Sequence, residues 1–372
     1  WLANHGGATA TDTCAGSLTW TNDYNAANFT ALCGGTGSVT VTFTATDACG
    51  NSVSTVSTFT IVDTTKPVFT TEPQNEVVEC DGSGNTSAYN AWLANHGGGI
   101  ATDNCGAVTY TYSVVDTAVL CGKTSKTTVK FTATDSCGNK VNKQAVFTIQ
   151  DTTAPVITVP SAALTIQCGN DVSGQITTWL NNHGGATATE GCGTVSWTHN
   201  YNGLTAACGT TGSALVTFTV TDSCGNASTT QGTVSVIDTI VPVLTKQAQG
   251  LTVQCGTNTT QALNNWLANH AGAEASDSCS TVTWTNNYNA ANFVAACGAT
   301  GSVEVIFTGS DSCGNVVTTT ATFTIEDTTA PTLVKAAQPK TVECDGSGNT
   351  TELQAWLANH GGATATDTCA GS

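Results

Sequence analysis

The chain has 372 residues, 40% hydrophobic and only 9% charged, and its charge is one-sided: nine basic residues, all Lys, against 26 acidic ones give a formal net charge of −17. A surface so acidic and without arginine repels phosphate, which makes nucleic acid and anionic membrane poor partners, and no run of 18 apolar residues offers a membrane-spanning helix. Seventeen cysteines, spaced 16 to 31 residues apart and never as CxxC, argue against zinc and imply disulfides formed in an oxidising, extracellular compartment. The chain opens with neither a signal peptide nor Met, so it is expected to be an interior piece of something longer.

Self-similarity explains most of the chain. TATDACGN at 44–51 returns as TATDSCGN at 132, TVTDSCGN at 219 and TGSDSCGN at 308, and the linker VDTTKP at 62 returns as QDTTAP, IDTIVP and EDTTAP. Cys49, Cys137, Cys224 and Cys313 lie 88, 87 and 89 residues apart, so one repeat is one domain of ordinary size. The expected domains are a partial repeat 1–63, complete repeats 64–151, 152–238 and 239–327, and a partial repeat 328–372. Residues 1–17 are also identical to residues 356–372, an offset of 355 that points to a four-domain block repeated in tandem.

Within a repeat the elements follow one order. After the linker, a short apolar stretch ends in the first cysteine, as in LTIQC at 164–168 and LTVQC at 251–255. Tyr89, Trp92, Leu93 and His96 then stand at i, i+3, i+4 and i+7, which predicts a helix ended by Gly97 and Gly98. A Gly-Ala-Thr-Asp loop carries the second cysteine. Next comes a strand with Leu18 and Trp20 on one face, matched by Val195 with Trp197 and Val282 with Trp284. The third cysteine and a Gly-rich turn lead into the clearest strand, where Val39, Val41, Phe43 and Ala45 alternate with Thr. DACGN turns the chain into a last strand bearing Phe59 and Ile61. The pattern predicts an all-β chain of tandem β-sandwich domains of about 88 residues, each with one short helix, Thr on the outer faces, in a linear rod.

The candidate site residues each carry two readings. His5, His96, His183, His270 and His360 recur at one repeat position, where imidazole suits a helix C-terminus better than acid–base work. Trp1, Trp92, Trp179, Trp266 and Trp356 have the periodicity of a helix core rather than of a sugar-binding platform. Asp recurs in the linker (Asp63, Asp151, Asp238, Asp327), in the ATDxC loop (Asp12, Asp103, Asp277, Asp367, with Glu190 substituting) and in the hairpin turn (Asp47, Asp135, Asp222, Asp311). These are either Asx turns or calcium ligands, calcium being a hard cation that takes six to eight oxygens. Placed at junctions, the calcium set is Asp63, Asp103, Asp135, Asp151, Glu190, Asp222, Asp238, Asp277 and Asp311. Lys123, Lys126, Lys130, Lys140 and Lys143 form a solvated strip on one hairpin or a contact for an acidic neighbour. No Ser/His/Asp triad, Walker loop or HExxH is present, so no catalytic residue and no enzyme is expected.

Strand direction suggests a disulfide pairing. Cys121 precedes the long strand and Cys137 follows it, more than about 20 Å away at about 3.3 Å per residue, too far for a bridge. The opening strand carries Cys80 to the end where Cys121 lies, and the helix returns the chain to bring Cys105 beside Cys137. The expected bridges are therefore Cys80–Cys121, Cys105–Cys137, Cys168–Cys208, Cys192–Cys224, Cys255–Cys297, Cys279–Cys313 and Cys14–Cys49, with Cys33, Cys344 and Cys369 left over.

The order of apolar strand, ATDxC loop, Trp strand, Gly turn, VTFTATDxCGN hairpin and D-T-T-x-P linker resembles the hyalin (HYR) repeat over all 372 residues. It looks most like the four-cysteine HYR-like repeats of very large Bacteroidota surface proteins, gliding-motility adhesins among them. That resemblance implies an immunoglobulin-like fold, adhesion, and secretion by the type IX system to the bacterial surface or a secreted fibre. It also implies O-glycosylation of Thr in Asp-Thr motifs, at Thr64, Thr117, Thr152, Thr239 and Thr328. The expected function is a structural stalk that touches neighbouring repeats of its own chain and projects a distal adhesive region. Surface polysaccharide or host and substratum ligands would be met by regions outside this segment. The rival is a multivalent array whose repeats themselves bind carbohydrate or protein.

Overall fold

A computed structural model describes residues 1–14, 16–169, 171–256 and 258–369. The fold is all-β with short helices, and the chain divides into two compact units. One comprises Trp1–Val159, Thr187–Thr198 and Thr219–Thr229; the other comprises Pro160–Ala186, His199–Phe218 and Thr230–Ser372.

In the first unit, residues 64–151 show the full element order. Strands Glu76–Glu79, Lys140–Gln150, Ser125–Thr134 and Thr109–Val119 form one sheet in that order. The first pair is parallel and the others antiparallel. Ser125–Thr134 sits in the middle because its sequence alternates: Val129, Phe131 and Ala133 are fully buried, and Lys130 and Thr132 between them take the other face. Burying each of the larger side chains contributes about 1.5–3 kcal/mol. The inner face is covered by helix Thr86–Ala94, while Val68–Thr71 and Ile100–Thr102 pair as a separate two-stranded ribbon. Trp92, Leu93, Phe131, Phe147 and Ile149 close the core.

The Trp reading follows from that packing. The Trp92 ring stands edge-to-face on Phe131 at 5.2 Å, and its indole N–H donates to the Gln74 carbonyl. Trp1 on Phe43, Trp179 on Phe218 and Trp266 on Phe307 repeat the arrangement at 5.1 to 5.2 Å. The helix stops earlier than its periodicity suggests. His96 and Gly97 take left-handed φ of 53° and 65° just beyond it, so the imidazole does not cap the helix from within. His96 instead stacks on Tyr110 at 4.0 Å, as His5 does on Trp20 and His270 on Trp284.

The second unit repeats this plan. Leu251–Gln254 runs parallel to the end of Val316–Glu326, which pairs with Gly301–Ser310. Thr283–Asn286 and Val294–Ala295 share the far edge, and helix Thr259–Ala268 brings Trp266 onto the buried Phe307 and Phe323.

The terminal segments differ from these. Residues 1–63 supply the hairpin of Gly37–Thr46 with Ser52–Ile61, and among the described residues no opening strand lies beside Ser52–Ile61. Residues 340–343 align with Glu76–Glu79 and Leu251–Gln254, yet form no strand.

Candidate functional site

The residues that recur without serving a core gather where consecutive repeats meet. The register Gln150↔Glu79 and Ile149↔Ser125 puts Cys80 and Cys121 at one end of the sheet, while Cys137 follows the other end of Ser125–Thr134. The partners, however, are not those expected. Among the described residues six bridges form: Cys33–Cys137, Cys121–Cys224 and Cys208–Cys313 join the third cysteine of one repeat to the fourth of the next. Cys80–Cys192, Cys168–Cys279 and Cys255–Cys369 join the first cysteine of one repeat to the second of the next. The expected pairs Cys14–Cys49, Cys80–Cys121, Cys105–Cys137, Cys168–Cys208, Cys192–Cys224, Cys255–Cys297 and Cys279–Cys313 are therefore corrected. Cys33 and Cys369 are bonded, and Cys14, Cys49, Cys105, Cys297 and Cys344 are free.

The physical reason is the docking of a turn. After each third cysteine comes Cys-Gly-x-Thr, a motif whose recurrence sequence reasoning passed over. The Thr is buried, and its hydroxyl donates to the cysteine carbonyl at 2.6 Å in all four copies: Thr36, Thr124, Thr211 and Thr300. The glycine must be glycine. Gly122 has φ 56°, and a Cβ there would lie 2.2 Å from the Cys192 carbonyl of the next repeat. The next residue's N–H then donates to that loop: Lys123 to the Cys192 carbonyl at 2.8 Å, Thr210 to Cys279 at 3.0 Å, Ala299 to Cys369 at 3.1 Å. With the turn seated, cysteines of adjacent repeats stand 5.0 to 6.1 Å apart by Cα, within bridging range. Lys123 adds its ammonium, which donates to the Gly82 and Gly191 carbonyls, so it belongs to the junction rather than to a solvated strip. Lys143 pairs with Glu72.

The acidic residues divide into two kinds. The turn residues Asp135, Asp222 and Asp311 are saturated: one oxygen accepts the N–H groups of Cys137 and Asn139 and their equivalents, the other the Asn side chain. Burial alone would raise their pKa, but these hydrogen bonds outweigh it and hold all three below the usual carboxylate range. They are Asx turns, and the same Asn also donates to the preceding linker's carbonyl, Asn139 to Asp63, Asn226 to Asp151 and Asn315 to Asp238.

The linker and loop carboxylates are only half satisfied. One oxygen of Asp63, Asp103, Asp151, Asp238 and Asp277 accepts a local N–H; the other is buried with no hydrogen-bond partner. Carboxylate oxygens of Asp63 and Asp103 lie within 4.8 Å of one another, as do those of Asp151 and Glu190, and of Asp151 and Asp222. Asp151 is 9% exposed. Apart from Cys105, the neighbouring thiols are consumed in bridges, so the donors that remain are oxygens, which suit a hard cation.

Thr64, Thr117, Thr152, Thr239 and Thr328 are all exposed. Three of the linker hydroxyls are engaged, Thr152 with Glu79, Thr239 with Gln167 and Thr328 with Gln254.

No protein-family model matches the chain. It is 29% identical over 323 residues to hyalin of Lytechinus variegatus, covering 80% of this chain and 54% of that protein. It is 28% identical over 330 residues to hyalin of Strongylocentrotus purpuratus, covering 83% of this chain and 25% of that protein. The chain thus spans about half, or less, of the length of these relatives. Among solved structures, Drosophila N-cadherin EC1-4 aligns at 13% identity and a TM-score of 0.23, over 85% of this chain and 94% of that one. The protocadherin GammaB4 extracellular domain aligns at 10% and 0.31, over 90% and 63%. At such scores the fold rests on the strand order above, not on the likeness. In sequence, the chain is similar to hyalin over some four-fifths of its length.

Proposed function

We propose that this chain is a covalently laced stalk segment of an extracellular adhesin or surface fibre, on a bacterial surface by the HYR-like resemblance. Disulfides of this density persist in an oxidising compartment, and the likeness to hyalin supports an extracellular structural role. The observation that carries the reading is the route the bridges open. From Cys33 a covalent path crosses to Cys137, runs back along the central strand to Cys121, and crosses to Cys224. It then runs back to Cys208 and crosses to Cys313. Between bridges the path uses only Ser125–Thr134 and Gly212–Asp222 with their flanking turns, and both strands are already extended. Tension therefore finds almost no hidden length. A repeat of this size without such bridges would release roughly 300 Å when unravelled, at 3.3–3.6 Å per residue.

Single-molecule pulling on the oxidised chain should show no steps of that length between Cys33 and Cys313, and reductant should make them appear. Repeat-length steps in the oxidised chain would refute the stalk reading. The half-satisfied carboxylate pairs are proposed as calcium sites that lock the junctions, and the exposed linker threonines as glycan positions that shield them.

A further inference from the structure

We propose that the second repeat carries a self-pairing edge: strand Thr109–Val119 joins the same strand of a second copy, antiparallel, about a twofold axis between Val114 and Val115. In every complete repeat the strand after the ATDxC loop stands at the end of the sheet, as Thr109–Val119, Val195–His199 or Thr283–Asn286, so the edge belongs to the plan of the repeat. The other repeats close it quickly. Their edge strands run four or five residues. Three positions after the Trp, Asp23, Asn200 and Asn287 then each place a side-chain oxygen on a backbone N–H of the central strand, that of Thr42, Thr217 and Ile306. The side chain takes the place of a ladder partner, and the chain turns away.

The second repeat has Ser113 at that position, directly opposite Lys130 in the ladder, and its strand continues to 11 residues. Residues 111–120 are all exposed, with Tyr112, Val114, Val115 and Val119 at 52 to 78%. Asp116 is the one charge in the strand, which holds neither Lys nor Pro. The devices that keep sheet edges apart are therefore almost absent here.

The occupant follows from the pattern of faces. Tyr110, Tyr112 and Val114 stand opposite the buried Ala133, Phe131 and Val129 and share their face, while Thr111 and Ser113 take the outer one. The ladder shifts at Val115, after which Asp116 and Ala118 are on the outer face and Thr117 and Val119 on the core face. That bulge makes the strand symmetric about its own middle. Tyr110 matches Val119, Thr111 matches Ala118, Tyr112 matches Thr117 and Ser113 matches Asp116, each pair sharing a face, with the two valines at the centre. A slip of one residue sets core face against outer face. An isologous contact demands a strand whose two halves match in this way, and an unrelated strand gains nothing from the symmetry.

Charge favours the same register. A net −17 repels a second copy in general, but Lys126 and Lys130 lie on the outer face of this sheet, beside Ala118 and Ser113. Asp116 makes no ion pair within its own copy among the described residues. In the proposed pairing Ser113 stands between its own Lys130 and Asp116 of the second copy, two strand spacings or about 10 Å apart by Cα, and the lysine stem reaches over the small serine. The twofold axis makes that contact twice. Lys126 falls in line with Thr111 and Thr132 of the second copy, so no lysine meets a lysine.

One strand edge is a small interface, so the dimer should be weak and reversible, dissociating between about 1 µM and about 1 mM. The test is sedimentation of the oxidised full chain across that range, with its free thiols alkylated so that association is non-covalent. The expected result is a dimer and nothing larger, with amide exchange in Thr109–Val119 slowed about tenfold at the top of the range and exchange in Val195–His199 unchanged. Asp116→Lys alone and Lys130→Asp alone should each weaken the dimer about tenfold or more, by setting like charges face to face. Mixed one to one, the two variants should pair at least as well as the original chain, because every lysine then meets an aspartate. Exchange in Ser125–Thr134 reports that each variant stays folded. A chain that stays monomeric throughout overturns the proposal, and so does a dimer indifferent to both substitutions or a mixture no tighter than its components. Growth into open-ended aggregates overturns it as well, since the edge would then pair without the twofold register. The proposal stands apart from the stalk reading, because a copy that never pairs still resists extension along its bridges.

Discussion

The second and first repeats carry nearly the same hairpin, yet Phe147 is 2% exposed and Phe59 39%. The sequence around them does not differ in kind: AVFTIQDTT in one, STFTIVDTT in the other. What differs is the strand alongside. Glu76–Glu79 lies against the end of Lys140–Gln150 and seals that edge, and nothing among the described residues does so for Ser52–Ile61. A repeat's core is therefore not a property of its hairpin. It is completed by residues that arrive some seventy positions earlier in the chain, and its ends are completed by the neighbouring repeats.

The largest expected effect tests that comparison directly. Phe147→Ala should cost about 3–5 kcal/mol, as for a fully buried aromatic, and Phe59→Ala only about 1–2 kcal/mol. Local amide exchange in Ser125–Thr134 and in Gly37–Thr46 reads the two costs separately. Equal costs would mean that the opening strand adds nothing to the core.

The alternating strands and the Trp positions were legible because side-chain period follows directly from geometry: Val39, Val41 and Phe43 could face only one way. The ends at which cysteines lie were legible for the same reason. The partners were not. In a tandem array, pairing within a repeat and pairing with the next repeat leave the same spacing signature, because the spacing is periodic. Third-to-fourth pairing inside one repeat is ruled out by the length of the strand between Cys121 and Cys137, yet third-to-fourth is one of the two classes that form, because opposite ends of successive repeats meet. The signal that could have decided it was Cys-Gly-x-Thr. A left-handed glycine beside a buried threonine marks a turn that something approaches closely. The carboxylates were half legible: recurrence named Asp63, Asp103, Asp151 and Glu190 as members of a junction set, but only the packed junction shows which of them stand together and which oxygens lack partners.

A second test compares a junction with a chain end. Asp151 and Glu190 face one another across a junction, whereas Asp12, at the same repeat position as Glu190, is exposed. A buried carboxylate held beside a half-buried one favours a neutralising cation. With sites in the ~10⁻⁴–10⁻³ M range of extracellular calcium modules, calcium at a hundredfold excess over Kd should add about 2.7 kcal/mol per site. Melting of the oxidised chain should therefore rise with calcium and fall with chelator. Glu190→Gln should remove its share, and Asp12→Asn should change nothing. Melting that ignores both calcium and chelator would leave the carboxylates without a bound cation.

The smallest effect concerns the turn after the helix, where one repeat breaks the pattern of the others. Gly97 and Gly184 hold φ of 65° and 66°, but the third complete repeat places Ala271 there at 56°. A methyl group in that conformation costs about 1–2 kcal/mol, offset by about 0.4–1 kcal/mol from the stiffer unfolded chain. In the second repeat it would also crowd, since a Cβ on Gly97 would lie 3.2 Å from the Pro73 side chain. The third complete repeat carries Ala248 at the position of Pro73, seven before its first cysteine; the Cβ is kept, but the ring atoms that lie against Gly99 in the second repeat are gone, and Ala248 and Ala271 are buried in one cluster. Without the ring the residue is freer to shift away from a methyl group, so the two substitutions are expected to be coupled. Gly97→Ala should cost about 1 kcal/mol in the native second repeat and less in a Pro73→Ala background, with a coupling of about 0.5 kcal/mol in a double-mutant cycle. Pro73→Ala alone should also destabilise, since Pro73 is buried and its ring lies against the turn. A cycle that closes with no coupling would mean that Ala271 is tolerated for its backbone alone, and that the ring missing at Ala248 is irrelevant to it.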